Sequence, residues 1–227
     1  MTMPALQPAN WLGLSSSHLS QIDDHHALLA PAKLAWLAMA KAAAEDGLEL
    51  NLVSSFRSFQ RQQLIWDSKF NGQRAVLDDH HAPVAMETLT ELQKIHAIMR
   101  FSALPGTSRH HWGTDLDVYS KPLQQQPLQL IASEYQAGGP QFATWQWLQQ
   151  RAHEFDFFFP YATDLGGVAC EPWHLSHAPS AQKVEAMRQP EAILDAIINA
   201  NVAGQKTIAA NFDTLFERFV SPISRLG

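Results

Sequence analysis

The sequence predicts an α+β fold with an antiparallel central sheet and flanking helices. Two short stretches with the alternation of half-buried strands, residues 48–53 and 114–119, stand among longer segments with helical periodicity. Strands and helices do not alternate regularly, as they would in a parallel βαβ sheet. The 227 residues, 46% of them hydrophobic, provide enough apolar material for a single domain with a sizeable core.

The first half of the chain begins with a predicted helix that Asp23 or Asp24 would cap and that Gly47 would end. Its apolar positions and its glycine stop are typical of a buried helix. The elements expected after it are a strand at 48–53, a helix at 58–70, a polar loop at 71–83 and a helix at 87–101.

The second half is predicted to alternate short strands with helices. The elements expected there are a strand at 114–119, a helix at 141–155, an aromatic strand at 157–159, a strand at 168–173 returning from a Gly166–Gly167 turn, and two helices at 181–220 that break near Gly204. We divide the single domain, 1–227, into an N-terminal helical segment (1–47), a core (48–178) and a C-terminal helical extension (179–227).

Composition and charge exclude several classes of function. The net charge is −6 and no block of Lys or Arg forms a basic stripe, so a nucleic-acid partner is not expected. The most apolar stretch, residues 27–44, contains a proline and two lysines, which argues against a membrane span. No secretory signal is visible in residues 1–20, so we expect a cytoplasmic protein, or a periplasmic or cell-envelope protein if a leader has been trimmed. The oligomeric state is not predicted.

Two short segments carry the side chains that could hold a metal. His110 precedes the predicted strand at 114–119, and Asp117 lies within it, on the same face as Asp115. Farther along, Glu171 and His174 flank Pro172, which favours an extended conformation at Glu171. Imidazoles and carboxylates are good Zn²⁺ ligands, and a hydrolytic zinc site needs three of them plus a position for water. Two histidines and Asp117 fill these roles, and Glu171 is left as the general base.

The motifs resemble those of a known peptidase family. Ser108-x-His110-x-x-Gly113, with Asp117 seven residues after the histidine, is followed by Glu171-x-Trp173-His174. This pattern is similar to the zinc D-alanyl-D-alanine carboxypeptidases and L,D-carboxypeptidases, a family that includes the vancomycin-resistance peptidases and shares a metal-site fold with hedgehog domains. The likeness covers roughly residues 48–178 and includes the segment from Ser54 to Ser58.

The resemblance implies a role for each matching residue. Zn²⁺ would be the cofactor, with His110, Asp117 and His174 as its ligands and Glu171 as the catalytic base. Arg57 would polarise the scissile carbonyl or stabilise the oxyanion. The side chains expected to line the substrate pocket are Ser108 and Gln62. The implied substrate is a peptidoglycan stem peptide or a D-Ala-D-Ala-type peptide, cut by a D,D- or L,D-carboxypeptidase.

The sequence departs from the family pattern at three places near the motifs. Asp115 stands where a small residue is usual, Pro160 stands where an arginine is frequent, and Ser176-His177 replaces the usual Arg-Tyr. Because none of these positions is a predicted ligand, the departures bear on substrate preference. Asp115 either supports a ligating histidine from behind or is a solvated strand residue.

Several alternatives stay open on the sequence alone. His111 could face the substrate or support the site, Arg57 could make only a surface ion pair, and the residues at 181–220 could cap the cleft, mediate dimerisation or simply pack on the sheet. The protein could be a peptidoglycan endopeptidase, or a non-catalytic zinc module that binds peptides. A cysteine hydrolase built on Cys170 is a weaker third possibility, because no oriented base accompanies the thiol.

Overall fold

The computed structural model describes residues 6–224, and its centre is a four-stranded antiparallel sheet. The strands are β1 (Ser20–Gln21), β2 (Ala27–Leu28), β3 (Asn51–Ser54), β4 (Asp115–Tyr119), β5 (Phe157–Phe158) and β6 (His174–His177). The order in the central sheet is β3-β4-β6-β5, and β1 and β2 form a separate hairpin. The predicted α+β class with an antiparallel sheet is confirmed.

Ten helices in the described residues surround the sheet. They are α1 (Pro8–Trp11), α2 (Ala30–Glu45), α3 (Phe59–Phe70), α4 (Glu91–Met99), α5 (Ala132–Tyr135), α6 (Phe142–Arg151), α7 (Ala178–Met187), α8 (Pro190–Asn199), α9 (Gln205–Ala210) and α10 (Phe212–Phe219). Two of these helices show why they begin where they do. The Ser58 hydroxyl accepts the backbone N–H of Arg61 at the start of α3, and Thr90 forms a capping box with Gln93 at the start of α4.

The register of the sheet places the predicted metal ligands side by side. Asp117 of β4 lies directly opposite His174 of β6, and the next pair along is Leu116 with Leu175. Because side chains alternate along a strand, Leu116 and Leu175 point into the core while Asp117 and His174 share the other face. The sheet therefore brings together residues that are 57 positions apart in the sequence.

The predicted start of the first long helix is wrong. Asp23 does not cap it: its carboxylate accepts the backbone N–H groups of His25 and His26, both at 2.8 Å, and so closes a turn. Residues 27 and 28 then pair with β1, and α2 starts only at Ala30, with Pro31 in its first turn. The predicted end is right, since Gly47 adopts a left-handed φ of +83° after Glu45.

The predicted strand at 168–173 is also wrong. The backbone N–H groups of this segment bond to separate loops: Ala169 donates to Arg100, and Glu171 donates to Tyr161. Pro172 has no N–H to donate, and His174 closes a turn onto the Glu171 carbonyl at 3.1 Å. The strand therefore begins at His174. It carries the ligand on its first residue and leaves Glu171 on the preceding loop.

The C-terminal region contains four helices, α7 to α10, where two were predicted. The expected break near Gly204 is present, with a φ of +77°. One hydrophobic cluster contains residues from all three predicted segments, among them Trp36, Leu116 and Ile193. The division of the domain at residues 47 and 178 stays a prediction. Within residues 6–224, no helix combines the length and the apolar character needed to cross a bilayer.

Candidate metal and active site

Three side chains converge at one end of the β4–β6 pair. His110 comes from the 3₁₀ turn Arg109–Trp112, Asp117 from β4 and His174 from β6, and one ligand atom of each lies within 4.8 Å of the others. Gly113 ends the turn with a φ of +68°, and a Cβ there would clash with the Leu19 side chain. Glycine is therefore favoured where the chain passes from the His110 turn into β4.

Two distances among the three side chains, each to a different oxygen of Asp117, are close to those expected around a tetrahedral zinc ion. Ligand bonds of 2.0–2.1 Å at tetrahedral angles place neighbouring ligand atoms about 3.3 Å apart. His110 Nε2 lies 3.3 Å from Asp117 Oδ2, and His174 Nδ1 lies 3.5 Å from Asp117 Oδ1. Asp117 Oδ1 is buried without a hydrogen-bond partner among the described residues. A buried carboxylate oxygen of this kind is costly unless a cation neutralises it, so the site suits a metal.

The far nitrogen of each histidine is bonded to the protein. His110 Nδ1 lies 2.8 Å from the Ser55 carbonyl oxygen, so it donates its proton there and leaves Nε2 for a metal. His174 Nε2 lies 3.0 Å from Asp115 Oδ1, which leaves Nδ1 for a metal. Burial disfavours the imidazolium of His174, but hydrogen bonds to Asp115 and Glu171 raise the pKa of His174 to about 10. The carboxylates around His174 thus favour a positive charge, whether a proton or a metal cation.

Asp115 supports His174 from behind through a fully buried network. Its carboxylate is 0% exposed and accepts bonds from Arg109 Nε at 2.8 Å and from the Ser176 hydroxyl at 3.0 Å. Arg109 also donates to Ser176 at 2.7 Å. Burial would raise the pKa of Asp115, but the Arg109 guanidinium and the bond to His174 hold it well below its usual range. Of the two interpretations that the sequence left open for Asp115, burial contradicts the solvated one, and the bond to His174 agrees with the supporting one.

Glu171 lies beside the metal-binding nitrogen of His174. Its Oε2 is 2.9 Å from His174 Nδ1, and its side chain is only partly buried. The carboxylate lines the cavity formed above the three ligands, which has a volume of about 250 Å³. Glu171 is therefore placed to reach a water or a leaving group next to a metal held by the cluster.

Arg57 is held at the edge of the same cavity. Its Nη1 donates to Gln62 and its Nη2 to Ser54, both at 3.0 Å, and Nη2 lies 3.9 Å from Asp117 Oδ2. Burial lowers the pKa of Arg57, and the negative charges of Asp117 and Glu171 counteract that effect. The surface ion-pair interpretation does not describe this residue, because its guanidinium faces the metal ligands.

His111 holds the backbone of Arg57 and does not face the cavity. Its ring is 0% exposed; Nδ1 donates to the Arg57 carbonyl at 2.6 Å and Nε2 accepts the Gly106 N–H at 3.0 Å. Burial lowers the pKa of His111 to about 3, so the ring is neutral. The supporting role considered for His111 matches these contacts.

The two predicted substrate-binding residues occupy different positions. Ser108 lines the cavity beside His110. Gln62 does not line it: the side chain is 1% exposed, accepts from Arg57, and donates to the Ala103 carbonyl at 2.7 Å. Its contact with substrate stays a prediction, and the bonds that it makes support Arg57.

Among the cavity-lining residues that sequence reasoning missed are Tyr161, Lys69 and Arg74. Tyr161 was given no role from the sequence, yet its ring meets His174 edge-on with centroids 5.0 Å apart. Burial raises the pKa of Tyr161, so its phenol stays protonated and can donate a hydrogen bond. Cys170 does not line this cavity, and within residues 6–224 no other His, Cys, Asp or Glu cluster of three is gathered.

Comparisons with known proteins agree with this geometry. A family model described as VanY, D-alanyl-D-alanine carboxypeptidase, matches residues 25–180. An uncharacterized protein of Haemophilus influenzae is 42% identical over 103 residues, which cover 44% of this chain and 70% of that protein.

Two solved structures share the fold at low sequence identity. A mutant of the vancomycin-resistance D,D-pentapeptidase VanY, in complex with Zn(II), is 22% identical with a TM-score of 0.54, and the match covers 75% of this chain and 85% of that one. The LD-carboxypeptidase LdcB is 21% identical with a TM-score of 0.53, and the match covers 89% of this chain and 78% of that one.

Proposed function

Because the chain belongs to the VanY family of D-alanyl-D-alanine carboxypeptidases, we propose that it is a zinc carboxypeptidase that removes the C-terminal D-amino acid from peptidoglycan stem peptides. The observation that carries the proposal is the convergence of His110, Asp117 and His174 within 4.8 Å, with Glu171 Oε2 2.9 Å from His174 Nδ1. The VanY structure in complex with Zn(II) supports the choice of metal.

His110, Asp117 and His174 would supply the three protein ligands of a hydrolytic zinc site, which keeps a further position for water. When bound there, Zn²⁺ supplies a Lewis-acid centre that makes a water molecule acidic and nucleophilic near neutral pH. Asp117 and the two imidazoles would hold the ion with one negative charge. The Ser55 carbonyl and the Asp115 carboxylate accept hydrogen bonds from the two rings and keep them in the orientation that would bind the ion.

Glu171 moves the proton in the proposed reaction. Its carboxylate takes a proton from the attacking water as the water oxygen bonds to the scissile carbonyl carbon. It then gives that proton to the departing nitrogen as the carbon–nitrogen bond breaks. The products are a shortened peptide with a new carboxylate and a free D-amino acid.

Arg57 stabilises the negative charge that develops on the former carbonyl oxygen. Its guanidinium is fixed by Ser54 and Gln62, so no side-chain ordering is needed during the reaction. Ser108 and the Tyr161 phenol line the same cavity and offer hydrogen bonds for the substrate backbone. A zinc site that served only stability would need neither Glu171 nor Arg57 beside its ligands, which favours the enzyme over the peptide-binding module.

Release of D-alanine from defined peptides tests the proposal. Zinc-loaded protein is incubated with stem pentapeptides ending in D-Ala-D-Ala, tetrapeptides ending in a single D-Ala, and internally cross-linked peptides. Mass spectrometry identifies the bond that is cut, and Glu171→Gln protein with the same zinc content is the control. Loss of one C-terminal D-Ala supports a carboxypeptidase and separates the D,D from the L,D preference. Cleavage restricted to internal bonds, or equal turnover in the control, would contradict the proposal.

A further inference from the structure

A second cavity of about 500 Å³ adjoins the active-site cavity. The wall between the two is shared, because both are lined by Lys69, Arg74, Phe101, Leu130 and Trp173. Two of these five residues are cationic and three are apolar. A substrate that reached from the metal ligands into the second cavity would have to pass Lys69 and Arg74.

Neither cation of the shared wall is neutralised by the protein. Between residues 6 and 224, no carboxylate forms an ion pair with Lys69 or Arg74. Lys69 Nζ contacts only the neutral Ser102 hydroxyl, at 2.6 Å. The two carboxylates lining the second cavity, Asp79 and Asp164, are held by Arg100 at 2.6 and 2.5 Å. The wall thus retains two unmatched positive charges.

The positive charge here is opposite in sign to that of the whole chain, whose net charge is −6. Partial burial and the nearby charges of Arg74 and Arg57 lower the pKa of Lys69 to about 8. Lys69 is half-buried and Arg74 is exposed at the rim of the cavity. Their like charges repel each other without a carboxylate partner, and an anion bound between them would relieve that repulsion, so the arrangement points to a ligand with negative charge.

We infer that Lys69 and Arg74 form an anion subsite that binds a carboxylate on the acyl portion of the substrate, the part that stays behind after cleavage. The inference rests on the proposed function. The sizes of the two cavities indicate which part of the substrate lies in the second one. The released residue is a single D-amino acid, whereas the acyl portion contains several residues and needs the larger cavity. The preferred substrate is therefore a stem peptide whose acyl portion carries free carboxylates, such as the α-carboxylate of a γ-linked D-glutamate.

The test compares two peptides that differ at one group. Both end in the same D-alanine, and one carries the free glutamate carboxylate where the other carries a carboxamide. We expect wild-type kcat/KM to be roughly 10- to 100-fold higher for the free acid, the range of a hydrogen bond between charged groups. In the Lys69→Met/Arg74→Gln variant this preference should disappear, because the substrate carboxylate loses both of its cationic partners.

Arg61→Gln is the matched control. Arg61 lies on the same helix, α3, but is exposed and lines neither cavity. This variant should keep the preference for the free acid. Melting temperature and zinc content are measured for all variants, so that a loss of fold is recognised.

Three outcomes would overturn the inference. The wild type could cut both peptides equally well. The double variant could lose activity equally on both, which would place the terminal carboxylate at Lys69 and Arg74. The Arg61→Gln control could lose the preference as fully as the double variant.

Calorimetric binding to zinc-loaded Glu171→Gln protein separates failure of the subsite from failure of the proposed function. Suppose that the wild type shows no turnover, but that Glu171→Gln protein binds the free-acid peptide more tightly than the carboxamide peptide. If adding Lys69→Met/Arg74→Gln to the Glu171→Gln protein removes this difference in binding, the proposed activity is refuted and the anion subsite is kept. Equal binding of both peptides to the Glu171→Gln protein refutes the subsite.

Discussion

Replacing Asp115 by alanine should weaken both zinc binding and the fold, for two separable reasons. The change removes the acceptor that orients His174 through Nε2, and a lost support of this kind typically weakens metal affinity about 10- to 100-fold. It also leaves Arg109, only 4% exposed, without its counter-ion. An unpaired buried charge costs about 3–5 kcal/mol of the free energy of unfolding.

A second substitution separates these effects. In Arg109→Met/Asp115→Ala no buried charge is left unpaired, and removing both partners of a buried ion pair is often close to neutral. We therefore expect the free energy of unfolding to recover most of the loss, while zinc affinity stays about 10- to 100-fold weaker than in the wild type.

Two measurements check this prediction. Urea unfolding of zinc-free protein gives the stability of each variant, and titration against a chelator of known affinity gives the zinc Kd. If Asp115→Ala binds zinc as tightly as the wild type, Asp115 does not orient His174. If the double variant recovers zinc affinity together with stability, the effect on the metal was only a consequence of a weakened fold.

Three further predictions concern the residues at the metal. His174→Ala should abolish stoichiometric zinc binding, as measured by elemental analysis after reconstitution; full occupancy would remove His174 from the ligand set. Glu171→Gln should keep its zinc but lose about 10²- to 10⁴-fold in kcat, and loss of the metal would show instead that Glu171 is a ligand. Arg57→Ala should raise the activation free energy that corresponds to kcat/KM by about 3 kcal/mol without changing the zinc content. Arg57→Lys should not restore activity. A near-normal kcat/KM in Arg57→Ala would refute the oxyanion role.

The metal ligands could be predicted from the sequence because their chemistry is local. His110 and Asp117 belong to one short motif, and Glu171 and His174 belong to another. Residue type and spacing were therefore sufficient to identify the candidate residues within each motif. That the two motifs meet depends on the pairing of Asp117 with His174 across β4 and β6. No property of either segment alone gives that register, and only the family resemblance joined them.

Other features depend on contacts that a linear pattern does not contain. The alternation of side chains along β4 predicted that Asp115 lies on the same face of the strand as Asp117. Only the contacts of Arg109 and Ser176 with Asp115 show that this face is buried at Asp115. Lys69 lies in the last turn of a helix, where a lysine is ordinary, and it became part of the cavity wall because of its tertiary neighbours. The break between α7 and α8 did have a signal, since Pro190 is in the first turn of α8.

Lys69 should also make substrate preference depend on pH, in a way that the metal chemistry does not obscure. The charges acting on it are those of Arg74 and Arg57, and together with burial they lower its pKa to about 8. The ammonium form is therefore present below that pH and is lost above it, so a carboxylate at the anion subsite is bound less tightly as pH rises. The carboxylates at the metal site do not reverse this direction of the pH dependence. Asp117 lies next to His110, and Glu171 lies next to His174.

The measured quantity is the ratio of kcat/KM for the free-acid peptide to that for its carboxamide. Effects of pH on the cleavage chemistry itself are common to both peptides and cancel in this ratio. We expect the ratio to fall by roughly tenfold between about pH 7 and about pH 9 in the wild type, the loss of one charged hydrogen bond. Lys69→Arg keeps its charge over this range and should give a flat ratio. A ratio that falls equally in Lys69→Arg would assign the pH dependence to another group and remove Lys69 from the subsite.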